Sequence, residues 1–188
     1  MPVTINGTSG LVTATTFSGS SLSGIDTGKV LQVKQTVKTS FFSSSTTNSQ
    51  VDVTGVNVSI TPSSASNKIF VICSGDYGND NSDSFQNLYL SRTITGGSTT
   101  DVVIGDARGS ATRATMNATL RQGGGLSHNV SRHFSCHYLD SPNTTSAIEY
   151  KLRMLMRNGT GCIGGSSSSN DAWFTSTPTF ITAMEVAA

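Results

Sequence analysis

The sequence predicts an all-β fold, a jelly-roll-like antiparallel β-sandwich with an extended N-terminal arm, and three observations lead there. From Lys29 onward apolar and polar residues alternate, the period of a half-buried strand. Clusters of Gly, Ser, Asn, Asp and Pro interrupt that alternation at short intervals, as turns do. No segment carries a convincing helical period, and Val30–Lys38, the nearest to one, is rich in Val and Thr, which favour strand.

Taken in order, Val30–Lys38 is the first expected strand. Val51 and Val53, then Val56, Val58 and Ile60, alternate on either side of Gly55, which reads as a bulge or kink. Further strands are expected at Lys68–Ser74, Phe85–Thr93, Asp101–Gly105 and Arg113–Leu120. Val130, Arg132, Phe134, Cys136 and Tyr138 share one face of a long strand, and Ile148, Tyr150, Leu152, Met154 and Met156 share one face of another. Thr179–Val186 closes the domain. Between them lie expected turns at Thr61–Ser64, Gly75–Asp83, Thr95–Ser98, Gly123–Gly125, Asp140–Asn143 and Arg157–Asn170. Eight to ten strands with frequent breaks make a sandwich, and the jelly roll is the form expected.

Residues 1–28 form a separate unit, with the boundary near Thr27 and Gly28 and the sandwich occupying 29–188. Their apolar residues, chiefly Val3, Ile5, Leu11, Val12, Phe17, Leu22 and Ile25, are isolated among Gly, Ser and Thr. Ordering each residue costs about 1–2 kcal/mol of backbone entropy, and no run here buries enough apolar surface to offset it. Such a segment gains order from other chains, so it reads as an arm for assembly, anchoring or trimerisation.

Charged residues make up only 12% of the chain against a usual value of about 25%, and the formal net charge is +1. Nucleic-acid grooves and membrane-surface patches need clustered Lys and Arg, so neither partner is expected. No apolar stretch reaches the roughly 20 residues that span a bilayer, and no secretory signal is visible. A surface wetted by hydroxyls and amides suits a particle protein and contact with neutral sugars. Cys73, Cys136 and Cys162 lack metal-ligand spacing and are expected as packed thiols, a disulfide being the lesser reading.

Four stretches carry a family resemblance: ATTFSGSSLSGIDTGKVLQV, VTGVNVSITPSSASNKIFVI, HYLDSPNTTSAIEYKLRM and the closing TFITAMEVAA. Together they resemble small virion proteins of tailed phages, known as tail fibres or minor structural proteins, especially of cyanophages and other aquatic phages. The resemblance runs over nearly the whole chain. It implies a homotrimeric fibre with a compact β domain, located in the virion and associated with tail or baseplate proteins. It implies no shared catalytic motif. A head decoration or cement protein is the main rival, and a free lectin or hydrolase leaves the arm without a purpose.

Candidate sites are few. Asp76, Asp80 and Asp83, with Asn79 and Asn81, gather oxygen ligands of the kind calcium takes, although Asp and Asn also dominate plain turns. Trp173, after Asn170 and Asp171, offers an indole to a sugar ring or to the core, and Tyr77 has the same dual reading; these four are the expected receptor contacts on a host surface glycan. His133 and His137 share a strand face about 13 Å apart, too far for one ion to bridge, but near a threefold axis three copies of one ring would suffice. The glutamates, Glu149 and Glu185, show no acid–base signature, and no catalytic residue is assigned. A non-enzymatic structural protein is therefore expected.

Overall fold

The computed structural model describes residues 29–80, 83–121, 131–167 and 175–188, and these form thirteen strands and no helix. They are β1 (Val30–Lys38), β2 (Phe42–Ser44), β3 (Gln50–Ile60), β4 (Lys68–Asn79), β5 (Asp83–Ser84), β6 (Gln86–Ile94) and β7 (Thr99–Val102), followed by β8 (Met116–Asn117), β9 (Leu120–Arg121), β10 (Ser131–Asp140), β11 (Ile148–Met156), β12 (Gly161–Ile163) and β13 (Thr179–Val186). The arm residues 1–28, His128 and the glycines at 123–125 lie outside the described residues, as do Asn81, Asn170, Asp171 and Trp173.

Two antiparallel sheets face each other. The first runs β1-β13-β4-β10, and the second runs β3-β11-β6-β7 with β8 also against β6. Reading the eight long strands in chain order, the path passes between the sheets in the sequence that defines a jelly roll. Short β12 lies end to end with β13 along the same edge of β4 and extends that sheet to β2, while β5 and β9 form a small ladder of their own. The fold is thus the jelly-roll sandwich expected from the alternation.

The core is the set of side chains between the sheets. Val71, Cys73, Phe134, Ile181 and Ala183 come from the first sheet; Val58, Ile60, Leu88, Leu90, Ile148, Leu152 and Met154 come from the second. Each fully buried Leu or Ile contributes about 1.5–3 kcal/mol. Strand β11 sits between β3 and β6, and its strict alternation of buried and half-buried residues follows from having one face in the core. Gly55 takes φ +84° where the β3–β11 register shifts between Lys151 and Arg153, so the kink read from the sequence is a bulge.

Two buried carboxylates of the first sheet, Asp140 and Glu185, are held by several donors each. Arg92 Nη1 donates to both Asp140 oxygens at 2.8 and 2.7 Å, and the Tyr150 hydroxyl donates to Asp140 Oδ2 at 2.6 Å, joining β10 to the opposite sheet. Burial, together with that bond to the Asp140 carboxylate, raises the Tyr150 pKa. Glu185, 1% exposed, accepts from Asn67 Nδ2 and Gln32 Nε2 at 2.6 Å and from the Ser63 amide and hydroxyl at 2.7 Å. Burial alone would raise its pKa, but these four donors bring it down to about 2.

Several expectations need correction. Gly75–Asn79 is strand, the end of β4, because it pairs with β10 on one edge and, at Tyr77–Asn79, with β12 on the other. Phe85 falls between β5 and β6, the strand expected at 101–105 ends at Val102, and the one expected at 113–120 is reduced to two-residue pieces. The expected loop 157–170 contains β12. The cysteines, by contrast, are the unbonded thiols expected; Cys73 and Cys136 are register partners, and burial lifts the Cys136 and Cys162 thiols to about 11 and about 12.

Candidate interaction surface

The outward faces of the two sheets differ sharply in chemistry. On the second sheet, Lys151 Nζ lies 2.7 Å and Arg153 Nε 2.9 Å from the Asp52 carboxylate. Burial would raise the Asp52 pKa, but Lys151 and Arg153 outweigh it and hold it below its ordinary value. Asp101 accepts from the Ser91 hydroxyl at 2.6 Å and from Gln50 Nε2 at 2.8 Å, and Asn57 Nδ2 donates to Glu149 at 2.9 Å. Charges of both signs thus lie on β3, β11 and β7 of this sheet, the pattern of a face held in water.

The first sheet turns a different face outward. Strand alternation turns buried Phe134 and half-buried Cys136 and Tyr138 of β10 toward the core and so directs His133, Ser135, His137 and Leu139 away from it. The register then aligns outward residues in rows. One row is Val33, Met184, Phe70 and Leu139; the next is Gln35, Thr182, Ile72 and His137; a third is Val37, Phe180, Ser74 and Ser135. Val33 is 55% exposed and Leu139 48% exposed, at opposite ends of the first row. The Phe70 and His137 rings lie 6.2 Å apart.

The edge of this sheet also exposes apolar side chains. β1 is the terminal strand, and Val30, Leu31, Val33 and Val37 on it are four of the eight large hydrophobic residues that stand exposed among the described residues. Natural edge strands are usually shortened, bulged or charged to prevent pairing with another chain. This one is nine residues long and carries Lys34, Lys38 and a bulge between Val30 and Gln32, yet it still exposes four apolar side chains, and exposed apolar surface marks an interaction site.

Only the first row is apolar throughout; Gln35, Thr182 and His137 interrupt the second, Ser74 and Ser135 the third, and beyond them the face is polar. His133 Nδ1 lies 3.0 Å from Asp76 Oδ1, and both line a pocket of about 230 Å³ with Ser74, Thr177, Pro178 and Phe180. Of the residues read as a calcium loop, Asp76 is therefore committed to His133, whereas Asp80 accepts from the Thr160 amide at 2.5 Å. Asp83 opens β5. Among the described residues no three of His, Cys, Asp and Glu converge.

Tyr77 is 6% exposed and belongs to the core, which corrects its reading as a surface contact: it points inward because it sits in β4, in phase with Cys73. Asn170, Asp171 and Trp173 lie outside the described residues. Glu149 is on the outward face of the second sheet and Glu185 is beneath the first, so the two carboxylates share no site. The apolar face itself was missed in the sequence reading. Its signal was present in the doubly apolar pattern of Lys68–Cys73, where Phe70 and Ile72 fill the positions a one-sided strand would leave polar.

These observations define the class: an eight-stranded jelly-roll sandwich with one charged and one apolar outward face. No family model matches the sequence, and no curated protein matches it. Among the solved structures that the chain is similar to are two of one virus. The structure of infectious bursal disease virus, Gx strain, matches at 10% identity and a TM-score of 0.38, covering 85% of this chain and 38% of that one. The structure of the Gt strain of the same virus matches at 11% identity and 0.41, covering 94% and 43%. The chain spans about two-fifths of the length of those chains. At these values neither likeness bears on function.

Proposed function

We propose that this chain is a non-enzymatic structural protein of a virion, a homotrimeric tail fibre anchored to the tail or baseplate through residues 1–28. The observation that carries the proposal is the contrast between the two outward faces. The apolar face of β1-β13-β4-β10 and its edge strand are covered by neighbouring copies, and the charge-laced face of β3-β11-β6-β7 stays in solvent, turned toward the host surface. The phage-like stretches supply the particle; the composition, almost free of charge clusters, agrees with a surface that meets other protein and neutral or weakly charged polymers. Repetition over three chains gives avidity without a deep pocket.

Antibody labelling of intact particles in electron microscopy tests the placement. Label on the tail or baseplate is the expected result, and label spread over the head would replace the fibre with a decoration or cement protein.

A further inference from the structure

A pocket of about 280 Å³ opens at the end of the second sheet, lined by Phe85, Asn87, Ser110, Thr112, Asn117 and Arg157 among others. Its parts are held in place by backbone bonds. The Arg157 amide donates to the Phe85 carbonyl at 3.0 Å, so aromatic ring and guanidinium stem rise from joined segments. Asn87 and Asn117 are register partners on β6 and β8, so their amides emerge side by side on one face. The Thr119 amide donates to Asn117 Oδ1 at 2.8 Å, which turns the Asn117 NH₂ outward as a donor. The Ala118 amide donates to the Gln86 carbonyl at 3.0 Å and fixes β8 beside β6.

Phe85 is 39% exposed, an aromatic surface at the rim. Among the described lining residues Arg157 is the one that carries charge, and none is a carboxylate. An aromatic surface, two amides, two hydroxyls and one guanidinium match a ligand that has an apolar ring face, several hydroxyls and one anionic group. Arg recognises a carboxylate through a bidentate pair of charge-assisted hydrogen bonds. We infer that this pocket binds a carboxylate-bearing sugar residue, with the ring on Phe85, hydroxyls on Asn87 and Asn117, and the carboxylate on Arg157. The inference rests on the host-contact part of the proposed function, which would supply such a sugar from a surface polysaccharide.

The test is a titration of the full chain, followed by NMR at the Asn87 and Asn117 side-chain amides. The probes are the methyl glycosides of glucuronic acid, galacturonic acid and N-acetylneuraminic acid, with methyl glucoside and sodium sulfate for comparison. At least one acidic glycoside is expected to give saturable shifts in the millimolar range. Arg157→Gln is expected to weaken it roughly tenfold or more, Phe85→Ala is expected to weaken it too, and methyl glucoside is expected to bind at least about tenfold more weakly than the acid. Thermal melts confirm that both variants remain folded. No saturable shift with any of the three acids, or equal binding of methyl glucoside, would overturn the assignment. Shifts from sulfate that match those from the acids and survive Phe85→Ala would reduce the pocket to a simple anion site. Because the isolated chain is used, failure here leaves particle labelling free to succeed, and the reverse.

Discussion

Glu185 shows how one residue ties the fold to pH. Its pKa of about 2 lies below its ordinary value of 4.5, so the carboxylate stabilises the native state above pH 4.5, and that contribution disappears as pH falls from 4.5 toward 2. The shift corresponds to on the order of 3 kcal/mol. Urea unfolding at a series of pH values is expected to show this acid limb in the native chain and to lose most of it in Glu185→Gln. The amide should also lower stability at pH 7 by about 2–3 kcal/mol, since it offers a donor where Asn67, Gln32 and Ser63 already donate. Gly75 is a second case, governed by space. A Cβ there would stand 2.6 Å from Thr179 Oγ1 and 2.9 Å from Thr179 Cγ2, on a stiff, buried side chain. Gly75→Ala is expected to cost about 1–3 kcal/mol. Gly161→Ala, which meets the mobile thioethers of Met154 and Met156, should cost less; comparing the two melts tests whether rigidity of the neighbour decides the outcome.

Between elements, one row of the first sheet carries both polar anchors. Gln32, Glu185, Ile69 and Asp140 are successive register partners across β1, β13, β4 and β10. Asp140 reaches the second sheet through Arg92 and Tyr150, so that end of the sandwich is joined by hydrogen bonds as well as packing. Tyr150→Phe is expected to cost about 1 kcal/mol, and Asp140→Ala about 3–5 kcal/mol because it leaves the Arg92 charge unpaired. Denaturant midpoints read both, and equal costs would show that Arg92 finds water instead. The long strands β3, β10 and β11 were legible because their alternation is local. The extra turn-like residues of β4, Gly75, Asp76, Gly78 and Asn79, hid its true length, since only pairing with β10 and β12 makes them strand. Three-residue β2 and β12 have no period to read. The Asp76–His133 pair joins residues 57 positions apart, and no local pattern announces such a meeting.

At the scale of the whole molecule, the account depends on the difference between two outward faces. Which face was charged could be foreseen from Glu149, Lys151 and Arg153 alternating against an apolar strand. The apolar face could not, because Val33, Met184, Phe70 and Leu139 come from four distant segments that only the register aligns. If that face is an assembly surface, placing charges on it should separate the copies while leaving the core untouched. The most direct measurement is the solution mass of the full-length chain by light scattering, alongside the variant Val33→Lys/Leu139→Lys. The account predicts three times the 19.6 kDa chain mass for the native protein and a folded monomer for the variant. A native monomer at high concentration, or a trimer that the two lysines leave intact, would contradict it.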